Sequence, residues 1–321
     1  MRAIAAKTVV SLREKPTEQV CLDDELLYGM TAEILEEVPA LQEGAFSEDI
    51  GDRKRRPVSE AEPDIGSEGR TVIQTEPVPG STETKWVRIR TEYRYEAYCK
   101  KEDLLTDEGR VNRWEHGDIR TVMRPYVDVL SEPKVQGLCM ESVPMGGRLL
   151  LTGQMPKHEG WVEVELADGR KGYTRESFLG VCHRQPFTED EEVFRSRLVE
   201  LAKNYMGTQY RWGGKSPLGI DCSGLTSMCY MLCGVYIYRN ARMKEGFPIK
   251  EIQEKDMKPG DLLFFPGHIA MYIGEERYIH STGKSGSDGV VINSLNPNHA
   301  DFRQDLRESL EQVGSMFVSK L

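Results

Sequence analysis

The sequence holds no apolar run near the ~18 residues that a membrane-spanning helix needs. Its opening, MRAIAAKTVVSLREKP, lacks the apolar stretch of a secretory leader, because Lys7 interrupts it and Arg13-Glu14-Lys15 follow. The expected location is the cytoplasm, with a secreted or wall-associated form as the alternative if a leader has been removed. Positive charge is also short: 42 Lys and Arg against 52 Asp and Glu leave a net charge of -10, which repels a phosphate backbone. Neither nucleic acid nor membrane is an expected partner, and oligomeric state is not readable. The seven cysteines, Cys21, Cys99, Cys139, Cys182, Cys222, Cys229 and Cys233, are odd in number and irregular in spacing. That argues against a secreted disulfide framework.

What is present is apolar material. The 321 residues are 39% hydrophobic, with thirteen Tyr, nine Phe and four Trp, enough for two or three compact domains. Two stretches repeat each other, WVRIRTEYRYEAYCKKEDLL from Trp86 and WVEVELADGRKGYTRESFL from Trp161. In both, Trp-Val opens an alternation of apolar and polar residues, and a Tyr (Tyr98, Tyr173) follows twelve positions after the Trp. Alternation of this kind means half-buried strands, and Asp168-Gly169 reads as a two-residue hairpin turn. Each copy is expected to be a small all-β barrel. Residues 40–84 are acidic and proline-containing with Phe46 as the one aromatic, the composition of a flexible insertion. Arg53-Lys54-Arg55-Arg56 inside it reads as a solvated run rather than a binding patch.

From residue 186 the pattern changes. Thr188 and Glu191 have capping-box spacing, and Val193, Phe194, Leu198, Leu201, Ala202 and Tyr205 recur at helical intervals before Gly207. Asp221-Cys222-Ser223-Gly224-Leu225 opens a second helix with Leu225, Met228, Cys229 and Leu232 on one face. DLLFF (261–265), HIAMYIG (268–274) and RYIHS (277–281) follow as three strands whose short links make them antiparallel. Helices followed by an antiparallel sheet define an α+β domain.

The chemistry centres on Cys222. A thiol at a helix N-terminus meets the positive end of the helix dipole and open N–H groups, which favour the thiolate. His268 and His280, on neighbouring antiparallel strands, are placed to serve as base and as orienting group. Cys229 and Cys233 fit a core face instead. A zinc site from Cys222, His268 and His280 has no fourth ligand at suitable spacing, and no cofactor is expected. His116, His158, His183 and His299 carry no motif and read as surface residues.

The strings GIDCSGL, KPGDLLFF, GHIAMYIG and YIHS, in that order, resemble the NlpC/P60 family of papain-like cysteine peptidases. The two upstream repeats resemble bacterial SH3 (SH3b) domains. The resemblance implies domains at 1–110, with the insertion at about 40–84, at 118–182 and at 186–321, the last being the peptidase. It implies Cys222 as nucleophile, His268 as base and His280 as the residue orienting it. The arrangement is similar to the YkfC-type subgroup, which cleaves the bond between γ-D-glutamate and an L-diamino acid in murein peptides bearing a free N-terminal L-Ala, in peptidoglycan recycling. Tyr210, Trp212, Gly213, Gly214, Asp221 and Ser223 match that subgroup's motif, so Tyr210, Trp212, Asp221 and Ser223 are the expected substrate-binding residues. Asp221 also fits a helix N-cap, and Trp212 either a wall for the L-Ala methyl or a buried structural Trp. Where the subgroup carries a Glu to face the amine, this sequence has Met30, leaving Glu25 as a substitute or a weaker amine preference. Tyr93, Tyr95 and Tyr98 are candidates to line the same site. A wall-lytic peptidase acting on intact peptidoglycan and a Cys-His acyltransferase remain alternatives, and a non-catalytic wall-binding module is a third.

Overall fold

The computed structural model describes residues 1–40, 85–154 and 158–317. The insertion read at about 40–84, with its Arg53–Arg56 run, therefore lies almost wholly outside the described residues. The first sheet contains β1 (Arg2–Ala5), β2 (Val9–Arg13), β3 (Leu22–Leu27), β4 (Thr31–Val38), β5 (Trp86–Thr91), β6 (Glu96–Lys100) and β7 (Leu104–Leu105). A helix, α1 (Glu108–His116), separates it from β8 (Ile119–Val122), β9 (Tyr126–Leu130), β10 (Cys139–Pro144), β11 (Arg148–Leu151), β12 (Trp161–Glu165), β13 (Lys171–Arg175) and β14 (Leu179–Val181). The strand orders are β3-β2-β6-β5-β4-β1-β7 and β10-β9-β13-β12-β11-β8-β14. Each strand of the first sheet has a counterpart in the second.

The sequence repeat follows from shared hairpin register. Trp86 lies opposite Lys100 and Arg88 opposite Tyr98; Trp161 lies opposite Arg175 and Glu163 opposite Tyr173. Both Trp side chains are buried, as are Val87, Ile89, Val162 and Val164, so the alternation marks the inward faces. The β12–β13 turn differs from the two-residue expectation. Leu166 and Arg170 still pair, and Gly169 donates its N–H to Leu166 with a φ of 87°. This is a three-residue loop with glycine in the left-handed position.

The two sheets meet at the turn Tyr28-Gly29. Arg148 donates its N–H to the Tyr28 carbonyl at 2.8 Å, Ala167 its N–H to the Tyr28 hydroxyl at 2.9 Å, and Trp114 of α1 its indole N–H to the Gly29 carbonyl at 2.8 Å. Gly29 has a φ of 72°, and a Cβ there would collide with the Arg148 backbone, so only glycine fits.

The remainder holds α2 (Glu191–Lys203), the hairpin β15 (Lys215–Ser216) and β16 (Gly219–Ile220), and α3 (Cys222–Leu232). Then come β17 (Lys250–Ile252), β18 (Leu262–Phe265), β19 (His268–Gly274), β20 (Arg277–Thr282), β21 (Gly289–Ser294), α4 (Gln304–Glu308) and β22 (Gln312–Ser315). The sheet order is β17-β22-β18-β19-β20-β21, antiparallel at every pairing. The cap of α2 is Asp190, whose carboxylate accepts the Val193 N–H; Thr188 instead accepts the N–H of Asp190, and Val193 is exposed. Two residues at this start compete for the cap, and the carboxylate wins.

Residues α3 buries on all sides pack on β19 and β20. One apolar core runs from Leu12, Leu27, Met30 and Val87 of the first sheet, through Met145, to Leu225, Met228 and Cys229 of α3 and Ile269 and Ile279 of the last sheet. The second sheet has its own cluster, which Ile4 and Tyr28 join.

Candidate active site

Cys222 begins α3, one residue after its cap. Asp221 accepts the Gly224 N–H at 2.5 Å through Oδ1 and the Gly213 N–H at 2.9 Å through Oδ2. The thiol is 6% exposed, and its sulfur receives the backbone N–H groups of Ile269 and Ser223. Ile269 is the neighbour of His268, so β19 brings the histidine strand against the start of α3. The helix start does not produce the thiolate expected from the sequence. Burial, with the Asp221 carboxylate alongside, pushes the Cys222 thiol up to about 12, outweighing those N–H groups and Arg239.

His268 and His280 lie on adjacent strands, joined by a tight turn in which Glu275 and Glu276 have φ of 52° and 57°. Met271 pairs with Ile279, which places the two histidines as diagonal neighbours on one face. His268 Nε2 is 2.7 Å from His280 Nδ1, and His280 Nε2 is 2.9 Å from Asn293 Oδ1. The proton positions follow from the far end. Asn293 Nδ2 donates to the Asp301 carbonyl at 3.0 Å, which fixes the amide so that its oxygen faces His280. His280 therefore carries its proton on Nε2 and accepts from His268 Nε2–H, leaving His268 Nδ1 as a bare acceptor. Burial drives both imidazoles toward neutrality: His268 is held well below its ordinary value, with His280 and Arg303 adding to the effect, and His280 falls to about 4 despite its bond to Asn293. A thiol and imidazoles that are both held neutral suit general-base chemistry rather than a preformed ion pair.

Asn293 was not read from the sequence. Its signal was available: it lies two residues beyond Val291, the partner of His280 on β21, and so shares the histidine face.

The loop before Cys222 carries the remaining candidates. Tyr210 is half-buried, bridges to Ile220 and lays its ring beside Gly283. Trp212 is 58% exposed, so the buried structural alternative does not hold. Gly213 has a φ of 72°, and a Cβ on it would stand 2.8 Å from the Leu22 backbone of β3. The first sheet is thus seated directly on this loop. Asp221 and Ser223 are buried and bound to Arg239: Nη1 reaches Asp221 Oδ1 at 3.1 Å and Ser223 Oγ at 2.8 Å, and Nη2 reaches Asp221 Oδ2 at 3.1 Å. The capping role of Asp221 is realised, and its carboxylate already takes five donors.

From the first sheet, Glu25 is 2% exposed and accepts the Lys215 N–H at 2.7 Å, while its other oxygen meets Arg211 at 3.5 Å. Burial raises its carboxyl above the usual range. Met30 lies in the apolar core. Tyr93 is buried with its hydroxyl 2.5 Å from Asp24, and Tyr95 bonds Asp23 at 2.7 Å. Away from the site, Cys229 and Cys233 are core residues as expected, and His116 and His158 are exposed, whereas His183 and His299 are half-buried, His299 bonding Ser294.

The NlpC/P60 family model matches residues 207–305. The chain is 37% identical over 318 residues to Dipeptidyl-peptidase 6 of Lysinibacillus sphaericus, covering 99% of this chain and 100% of that protein. It is also 37% identical over 129 residues to Gamma-DL-glutamyl hydrolase of Bacillus subtilis, covering 35% of this chain and 30% of that one. A solved NlpC/P60 family protein from Bacillus cereus shares the fold over 98% of each chain, with a TM-score of 0.68 at 16% identity. A family match that contains Cys222, His268 and His280, joined to a relative matched along its whole length, places the chain in the NlpC/P60 family of cysteine peptidases.

Proposed function

We propose that the protein is a cysteine endopeptidase that hydrolyses the bond between γ-D-glutamate and an L-diamino acid in murein peptides with a free N-terminal L-Ala, in a cytoplasmic recycling role. The proposal includes three units, two SH3b-like barrels at 1–110 and 118–182 and a peptidase at 186–321. The observation that carries it is the seating of β3 on the Gly213 loop. In this reading a sheet in that place bounds one end of the substrate site beside Cys222, which suits a short free peptide better than one attached to a glycan. The whole-length relative is named for release of a dipeptide, and L-Ala-γ-D-Glu is the dipeptide this cut releases.

In this reading the Cys222 thiol passes its proton to His268 Nδ1 and attacks the γ-carbonyl. The oxyanion is met by the N–H of Cys222 at the open first turn of α3, with the Tyr210 hydroxyl assisting. His268 gives its proton to the leaving amine, then takes one from the water that hydrolyses the thioester; His280 and Asn293 hold the ring. Trp212 forms a wall for the L-Ala side. Asp221 and Ser223 shape the amine pocket, and Glu25 supplies the carboxylate with spare capacity, since Arg211 holds it only loosely.

The test compares L-Ala-γ-D-Glu-diaminopimelate with its N-acetylated form and with intact sacculi. Rapid cleavage of the free peptide alone is expected. Equal rates on the acetylated peptide would remove amine recognition, and clearing of sacculi would favour the wall-lytic alternative.

A further inference from the structure

We propose that Asp24 of the first sheet, acting through Arg239, is a positioning residue for the nucleophile, so that β3 is a working part of the catalytic site as well as a cover for it. The inference rests on Cys222 being the nucleophile. Arg239 is 2% exposed and places all five of its N–H donors. Nε reaches Asp24 Oδ1 at 2.5 Å; Nη1 reaches Asp221 and Ser223; Nη2 reaches Asp221 and the Gly213 carbonyl at 3.1 Å. Cys222 lies between Asp221 and Ser223, so a single planar guanidinium grips the residues on both sides of it. The same group also grips the loop that Gly213 belongs to.

The remaining edge of this rigid planar fork is its Nε side. Asp24 occupies it. That carboxylate is fully buried and is held by Arg239, by Lys215 Nζ at 3.1 Å and by the Tyr93 hydroxyl. Burial works against its charge, but Arg239 and Lys215 overcome this and hold the carboxyl below its ordinary value. Lys215 in turn is fully buried, 3.7 Å over the Tyr93 ring. Asp24 is 0% exposed, and its route to the chemistry is Arg239 and the two residues that flank the thiol.

Steady-state kinetics on the full chain test this with Asp24→Asn, Arg239→Lys and the double variant Asp24→Asn/Lys215→Met. Each single variant is expected to lower kcat for the tripeptide by about 100-fold, the scale of a small misplacement of reacting groups; Asp24→Asn should leave KM within about threefold of wild type, while Arg239→Lys, which touches the amine-pocket residues Asp221 and Ser223, should raise KM as well. The double variant removes one buried cation together with the anion, so it is expected to recover the thermal midpoint but not kcat. A kcat within about threefold of wild type in a folded single variant overturns the inference, as does recovery of kcat together with the midpoint in the double variant. Failure of the wild-type protein to cleave the tripeptide overturns the peptide reading alone. Positioning is then read from iodoacetamide alkylation of Cys222, where the single variants should depart from wild type by about tenfold, and equality overturns it.

Discussion

The Asn293 side-chain oxygen decides which nitrogen of His280 carries a proton and, through it, which nitrogen of His268 is left as an acceptor, the one that takes the thiol proton in the proposed mechanism. Asn293→Leu removes that direction without removing an imidazole. We expect kcat to fall on the order of 10- to 100-fold, part of the 10²–10⁴ that acid–base groups supply, with KM little changed in steady-state assays. Cys222 makes a second test at this scale. Because burial pushes its thiol up to about 12, iodoacetamide alkylation should rise roughly tenfold per pH unit from pH 6 to 9. A fast rate that is flat with pH would indicate a resting ion pair. Cys222, His268 and His280 stood out in the sequence because reactive residue types lie at motif spacing. Arg239 and Asn293 did not, because an Arg or an Asn gains meaning only from partners that tertiary packing supplies.

At the scale of elements, the β19–β20 hairpin sets the histidine pair. Its two turn residues, Glu275 and Glu276, adopt left-handed backbone, which costs a non-glycine residue about 1–2 kcal/mol each. Glu275→Asn, the residue such turns favour, should raise stability by roughly 0.5–1 kcal/mol, read as a higher midpoint in urea unfolding with an unchanged slope. The strands themselves were plain in the sequence: DLLFF, HIAMYIG and RYIHS match β18, β19 and β20 to within a residue at each end. Element ends were less plain. The cap of α2 moved from Thr188 to Asp190 because both lie within two residues and only geometry separates them. Helix α1 was not read, since its buried residues are only Val111 and Trp114, too few to leave a period.

Across the whole molecule, Glu92 joins all three sheet regions. It takes two bonds from Arg148 of β11, at 2.8 and 2.6 Å, one from Thr31 of β4 and one from Tyr236 beyond α3 at 2.9 Å. Glu92→Leu leaves the buried Arg148 charge unpaired and should destabilise the chain by about 3–5 kcal/mol in denaturant titration. Acid should act in two stages. His280 is buried neutral with a folded value of about 4, below its unfolded value, so its contribution is present above about pH 6.5 and lost as pH falls toward 4, on the order of 3 kcal/mol. Glu92 is held at about 2, where burial opposes its charge but Arg148 prevails, so its contribution survives above about pH 4.5 and fades toward 2. Thermal midpoints from pH 8 to 3 check both stages, and His280→Gln should reduce the first, leaving the share that comes from His268, which burial also holds neutral. The sequence repeat made two sheets legible, but nothing in a linear repeat tells which copy docks on the peptidase.

The single apolar core shared by the first sheet and α3 has a consequence for biosynthesis. The ribosome releases β1 to β7 first, yet the partners of Leu27 and Met30 in α3 and the last sheet emerge only near the end of translation. The second sheet, with its own cluster, can close as soon as it is made. The nascent chain should thus fold from its middle outward, and its earliest segment should stay protease-sensitive and dependent on chaperones until the histidine strands arrive.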